Sequence, residues 1–239
     1  MKRKTAAVLA GIVLAIYLQF PGAALQNTES VPPDHPSYTA EWVLPPDLNA
    51  RAKGLCIIGH SHVNGLSINT ISDIDYIACD GMTAIDARYS ADFLLPDGSH
   101  GTIPEGLAQK EYGTVALMLG TNDMPYGRAM LKDYRSHMEY LLDQISWVLP
   151  EAKICLVSLA PVGRTYCSYM YSFDKTVIQD YNSELMKIAE ERQIPFIDIF
   201  TPLADEEGFT ARNYESTDGL HFTVQGYRVM LNEIVTALS

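Results

Sequence analysis

Residues 55–63 read Leu55-Cys56-Ile57-Ile58-Gly59-His60-Ser61-His62-Val63. Four apolar residues, too few for a helix and rich in β-branched side chains, run into a glycine and then into polar residues. That pattern predicts a strand buried on both faces of a parallel sheet. Ser61 falls at its carboxyl end, the edge at which open α/β sheets bind their ligands. Taken alone, a serine there reads as the cap of the next helix as readily as a nucleophile. The rest of the chain has to decide between them.

Beyond Lys53 the chain alternates strand and helix signals. Short apolar runs bounded by turn residues predict strands at Leu55–Gly59, Asp75–Cys79, Thr114–Leu119, Lys153–Leu159 and Pro195–Phe200. In the longest intervening segment, Met130, Leu131, Tyr134, Met138, Leu141, Leu142, Ile145, Val148 and Leu149 recur at helical spacing. Lys132, Asp133, Arg135, Glu139 and Asp143 take the opposite face. A second helix carries Val177, Ile178, Tyr181, Leu185, Ile188 and Ala189, with Asp174 as its expected N-cap, and a last one runs from about Val224 to Leu238. Such alternation implies an α/β fold in three layers, a parallel sheet with helices on both faces.

The 239 residues suffice for one well-packed domain and are short for two. Hydrophobic residues at 47% and charged residues at 19% describe a globular chain. With 17 Lys+Arg against 29 Asp+Glu the formal net charge is −12, which repels polyanions and argues against a nucleic-acid partner.

At the amino terminus Lys2, Arg3 and Lys4 precede an uncharged apolar run from Thr5 to Phe20, followed by Pro21-Gly22-Ala23-Ala24. A basic flank, an apolar run and small residues form the pattern of a secretory signal. Residues 1–24 are therefore expected to be a cleaved signal peptide, with a retained N-terminal membrane anchor as the alternative, and the protein to be secreted or bound to the cell envelope. Pro32, Pro33, Pro36, Pro45 and Pro46 mark residues 25–53 as a linker or extended strap that Trp42, Val43 and Leu44 could anchor. The functional domain is then 54–239. Of the four cysteines, Cys56 and Cys155 lie inside expected strands, Cys79 near the end of another and Cys167 in an expected loop. Without zinc spacing or a CxxC pair, they read as free thiols.

Three further motifs fall on the same edge of the sheet as Ser61. The strand ending at Leu119 runs into Gly120-Thr121-Asn122-Asp123, where Asn122 either closes a turn or donates its amide to a developing oxyanion. The strand ending at Cys79 runs into Asp80-Gly81, where the glycine either makes an ordinary turn or permits close backbone approach. Asp218-Gly219-Leu220-His221 precedes the final helix. A spacing of three in a turn can bring the carboxylate to one imidazole nitrogen and leave the other facing a nucleophile.

Together these pieces resemble the GDSL, or SGNH, serine hydrolases over about Leu55 to Leu238. The most specific matches are Leu-Gly-Thr-Asn-Asp at 119–123 and Asp-Gly-Leu-His-Phe-Thr at 218–223. The resemblance implies a flavodoxin-like sheet of five parallel strands. It also implies Ser61 as nucleophile, His221 as base, Asp218 as its partner, and an oxyanion hole from Ser61, Gly81 and Asn122. One departure stands out: the family's first block usually reads Gly-Asp-Ser, and here it is Gly59-His60-Ser61.

Other hydrolases fit less well. The G-x-S-x-G elbow of α/β-hydrolases fails at Val63, and no HExxH or spaced carboxylate completes a metal site, so neither metal nor cofactor is called for. The expected function is an exported ester hydrolase acting on a small-molecule or polymer-borne ester, with short acyl groups on a glycan or envelope substrate preferred. A lysophospholipase- or lipase-like esterase and a catalytically silent carbohydrate-binding protein are the alternatives. His60 and His62, with Tyr166, Tyr169 and Tyr171 from the aromatic stretch 161–173, are expected to line the substrate site. Membrane contact is expected only through an N-terminal anchor, and the sequence leaves the oligomeric state open.

Overall fold

The computed structural model describes residues 42–169 and 174–238. The expected signal peptide at 1–24 and residues 25–41 of the Pro-rich stretch lie outside the described residues. In chain order the elements are β1 (Trp42–Val43), α1 (Pro46–Arg51), β2 (Leu55–Gly59), α2 (Ser61–Asn69), β3 (Thr70–Ile71), β4 (Asp75–Ala78) and α3 (Ala84–Ala87). Then come β5 (Phe93–Leu94), β6 (His100–Gly101), α4 (Ile103–Leu107), β7 (Thr114–Met118), α5 (Leu131–Val148) and β8 (Lys153–Val157). The chain finishes with α6 (Arg164–Tyr169), α7 (Thr176–Arg192), β9 (Phe196–Ile197), α8 (Phe200–Leu203) and α9 (Val224–Ala237).

Among the described residues, one seven-stranded sheet has the order β6-β5-β4-β2-β7-β8-β9, and β1 pairs separately with β3. The neighbours β4, β2, β7, β8 and β9 are all parallel and coincide with the strands expected from sequence. The expected count of five is too low, because β5 and β6 extend the sheet antiparallel beyond β4. Each is only two residues long, too short to display an alternating pattern.

Successive strand residues point to opposite faces, and the core divides accordingly. Cys56, Ile58, Val115, Leu117, Ile154 and Leu156 pack with α4, α5 and α7, through residues such as Leu107, Met138, Ile145, Tyr181 and Leu185. Leu55, Ile57, Ala116, Met118, Cys155 and Val157 pack on the other face with α2 and α9, through Val63, Leu66, Met230, Leu231 and Ile234. The three layers follow from this split. The helices on the second face approach closely at one point: a Cβ at Gly65 of α2 would fall 2.2 Å from the Tyr227 ring of α9.

Several boundaries shift slightly. The last expected strand stops at Ile197 because Phe200 already opens α8. Lys175, not Asp174, occupies the N-cap of α7, although Asp174 Oδ1 accepts from the Thr176 N–H at 2.9 Å. Residues Trp42 to Ala52 are folded: Leu44 and Ala52 are buried, Trp42 packs against the α2/α9 core, and Val43 stays exposed. All four cysteines are free thiols, and Cys167 lies on α6 where a loop was expected.

Candidate active site

Strand β2 ends at Gly59, where a Cβ would come within 2.3 Å of the Met118 carbonyl oxygen and 2.6 Å of Val63. Only a glycine lets the chain turn there directly into α2. His60 is the N-cap of that helix and Ser61 its first residue, so the sequence reading of Ser61 as a cap is replaced by His60 in that role. The Ser61 N–H is one of the helix's first donors, which have no acceptor within the helix.

The loop before α9 brings the other two groups. Asp218 Oδ1 accepts from the N–H groups of Leu220 and His221, both at 2.9 Å, so the carboxylate builds its own turn. Its second oxygen lies 2.6 Å from His221 Nδ1, and His221 Nε2 lies 2.9 Å from Ser61 Oγ. With Nδ1–H donating to the carboxylate, Nε2 is left as the acceptor of the Ser61 hydroxyl proton. Burial raises the Asp218 carboxyl, but the bonds from the His221 ring, His221 N–H and Leu220 N–H outweigh it and hold the group below its ordinary value. Asp218 stays ionised where it faces the imidazole. The array opens at the surface, with the His221 and Asp218 side chains 35% and 49% exposed.

Two loops from neighbouring strands flank Ser61. Gly81 follows β4 with φ +72°, a left-handed conformation suited to glycine, and is exposed. Asn122 follows β7, and its Nδ2 donates to the Met82 carbonyl at 3.0 Å. That bond uses one of the two amide hydrogens and orients the second. Asp123, beside it, is buried and accepts from the Ala84 N–H at the start of α3. Beyond Gly81 a cavity of about 450 Å³ is walled by Asp80, Met82, Asp86, Tyr89, Ser90 and Asp92, with Cys79 at its side.

The structure corrects the expectation that His60 and His62 line the substrate site. They are 0% and 1% exposed and lie beneath it. His60 Nδ1 accepts from the His62 N–H at 3.3 Å, the cap that a carboxylate would make in a Gly-Asp-Ser block. His62 Nε2 lies 3.0 Å from the Leu220 carbonyl oxygen. Burial, then the charges of His62 and His221, hold the His60 ring well below its ordinary pKa; burial and then the His221 charge bring His62 down to about 4. Both shifts favour the neutral ring. Tyr166 is half-buried against the α5/α7 core, and burial raises its phenol. The Tyr169 side chain and Tyr171 lie outside the described residues. Sequence reading missed Asp123, although it was visible beside Asn122 in the quoted block.

The family described as GDSL-like lipase/acylhydrolase matches residues 37–229 of the chain. The fold is similar to that of a Streptococcus pneumonia protein described as a platelet activating factor, with TM-score 0.63 and 20% identity over 81% of this chain and 92% of that one. A GDSL-like lipase from Bacteroides thetaiotaomicron VPI-5482 is similar with TM-score 0.58 and 18% identity over 77% and 86%. The N-acylneuraminate cytidylyltransferase of Escherichia coli O18:K1:H7 (strain RS218 / NMEC) is 27% identical over 181 residues, 75% of this chain. The chain spans 39% of the length of that relative.

Proposed function

The chain belongs to the GDSL-like lipase/acylhydrolase family, and we propose that it is an exported serine ester hydrolase removing acetyl or other short acyl groups from a glycan or cell-envelope polymer. One observation carries the catalytic part: Asp218, His221 and Ser61 stand in a hydrogen-bonded line of 2.6 and 2.9 Å that ends on the first residue of α2.

Ser61 Oγ attacks the acyl carbonyl while its proton passes to His221 Nε2, and Asp218 supports the imidazolium that forms. The carbonyl oxygen becomes an oxyanion held by the Ser61 and Gly81 N–H groups and the second amide hydrogen of Asn122. Collapse breaks the ester C–O bond. His221 returns its proton to the leaving alkoxide, leaving an acyl-serine. A water then gives its proton to His221 and attacks the same carbonyl, releasing the carboxylic acid and restoring Ser61.

The walls beside Gly81 support the substrate class. Asp80, Asp86 and Asp92 offer acceptors for sugar hydroxyls and a poor surface for a long acyl chain, which gains ~0.8 kcal/mol per CH₂ only where it is buried in apolar surroundings. The half-exposed His221–Asp218 pair supports access by a polymer. Export rests on Lys2, Arg3 and Lys4 ahead of the apolar run and Ala23-Ala24. Purified protein assayed on p-nitrophenyl acetate, butyrate and octanoate, beside acetylated xylan and O-acetylated peptidoglycan, tests the reading. kcat/KM should fall with chain length, and acetate should be released from a polymer. A kcat/KM that rises steadily to octanoate with no acetate release replaces it with a lipase-like esterase.

A further inference from the structure

The buried imidazoles beneath the site are used by no step of the reaction, yet they join its two halves. Ser61 belongs to α2, and His221 belongs to a loop 160 residues later. His62, next to the nucleophile, touches three consecutive residues of that loop. Its Nε2 lies 3.0 Å from the Leu220 carbonyl oxygen, its ring meets the His221 ring edge-on at 5.7 Å and 88°, and it meets Phe222 at 5.1 Å and 71°. A carbonyl can only accept, so His62 carries its proton on Nε2. His60 is held in the same tautomer, since its Nδ1 accepts from the His62 N–H and its proton therefore sits on Nε2, while its ring packs on that of His62 at 4.7 Å.

We propose that His62 is a positioning residue for the base: its Nε2–H fixes the Leu220 carbonyl and its ring edge supports the His221 ring, which together keep His221 Nε2 within bonding distance of Ser61 Oγ. The inference rests on the catalytic reading of Ser61 and His221. Its physical content is that distance in a nucleophile–base pair is worth orders of magnitude in rate, while the pair alone is linked by one bond at a half-exposed surface. A neutral ring suits the task. A cation at position 62 would face His221 and repel the imidazolium formed in the reaction, and burial, with the charge of His221 itself, keeps His62 uncharged down to about pH 4. The groups facing it are His60, His221, Asp218 and the Leu220 carbonyl; the carbonyl and then Asp218 favour its protonation, and burial and the His221 charge outweigh them. His60 Nε2 and His62 Nδ1 are buried without a partner among the described residues. Two polar atoms left unpaired in this way are a cost to folding that a purely apolar filling would avoid.

The test compares His62→Leu, which keeps volume and loses the donor, with His62→Gln, whose amide can reach the same carbonyl, and with Ser61→Ala. Turnover of p-nitrophenyl acetate, the rate of fluorophosphonate labelling, the pH–rate profile and the melting temperature are measured for each. His62→Leu should lower kcat and the labelling rate together by about 10- to 100-fold, with KM within about twofold, and move the acid limb of the pH profile. His62→Gln should recover most of both rates. A folded His62→Leu enzyme with wild-type kcat overturns the proposal, as does a Gln variant as slow as the Leu variant. If His62→Leu does not fold, His62→Gln against wild type decides: a loss beyond about 100-fold in a folded Gln variant overturns it. Ser61→Ala separates the two readings, because labelling or turnover that survives it removes the catalytic assignment, whatever His62 does.

Discussion

The Ala84 N–H donates to both carboxylate oxygens of Asp123, at 3.2 and 2.9 Å, across 39 residues of sequence. Asn122 Nδ2 donates to the Met82 carbonyl from the same loop. Two bonds therefore stitch the segment after Gly81 to the segment carrying Asn122. Asp123→Ala should cost about 1–3 kcal/mol by leaving a buried N–H unpaired, and should also lower kcat because both proposed oxyanion donors lose their support. Urea unfolding and steady-state kinetics check the two effects; a stability loss with unchanged kcat would separate Asp123 from the oxyanion loops.

Asp123 also carries a pH signature. Burial, opposed by the Ala84 N–H and aided by the Asp86 charge, pushes it up to about 7 from an ordinary value of 3.8. Between those values the folded state binds the proton and the unfolded state does not, so the Asp123 contribution to stability falls as pH rises through that window. Asp123→Asn removes the dependence. The stability of the Asn variant relative to wild type should therefore rise between about pH 4 and about pH 7 and level off above it. A difference that stays flat across urea midpoints at several pH values would contradict the assignment.

The buried histidines act with the opposite sign. His62 drops to about 4 from 6.5 and His60 also lies well below its ordinary value, so across that window the unfolded state binds the extra protons and stability is lost as pH falls. His62 alone accounts for at most roughly 3 kcal/mol, at ~1.4 kcal/mol per pH unit. His60→Asn, which can still cap α2, should flatten the acid side of the stability curve. A variant with the same acid sensitivity as wild type would show that the His60 ring is protonated in the folded protein.

Asn122→Ala tests the oxyanion donor. Loss of one such donor typically costs about 10²–10³ in kcat, with little change in KM. The same substitution removes the bond to the Met82 carbonyl, so the melting temperature is measured beside kcat to show what that bond contributes to the loop. An alanine variant within about tenfold of wild type in kcat would leave the oxyanion to backbone donors alone.

Asp218→Asn should keep much of the turn, since an amide oxygen can still accept from the Leu220 and His221 N–H groups, while the charge facing Nδ1 is lost. By analogy with triads in which the amide imposes the wrong tautomer, kcat should drop by up to about 10⁴. Half-exposure of the carboxylate makes a smaller loss expected here, on the order of 10²–10³. Wild-type kcat in this variant would mean that His221 needs no carboxylate partner.

Much of this arrangement was legible in the chain because it is local. Leu55–Gly59 declares a buried strand by its apolar run, and the spacing from Asp218 to His221 permits a carboxylate–imidazole turn that the other motifs on the same sheet edge make specific. The missed features depend on distant contacts. His60 and His62 look like surface residues in a loop; they are buried because one caps α2 and the other bonds a carbonyl 158 residues away. β5 pairs with β4 and β6 with β5 through ladders too short to leave a pattern.

The Tyr227 ring lying against Gly65 has a consequence in time. It joins the helix of the nucleophile to the helix that follows the base. A ribosome-bound chain that has emerged only as far as α7 carries Ser61 without His221. Closing so long a loop is among the late events of folding. Turnover would thus appear only once α9 is in place, so polypeptides still being made, or trimmed before α9, would be harmless to the esters around them.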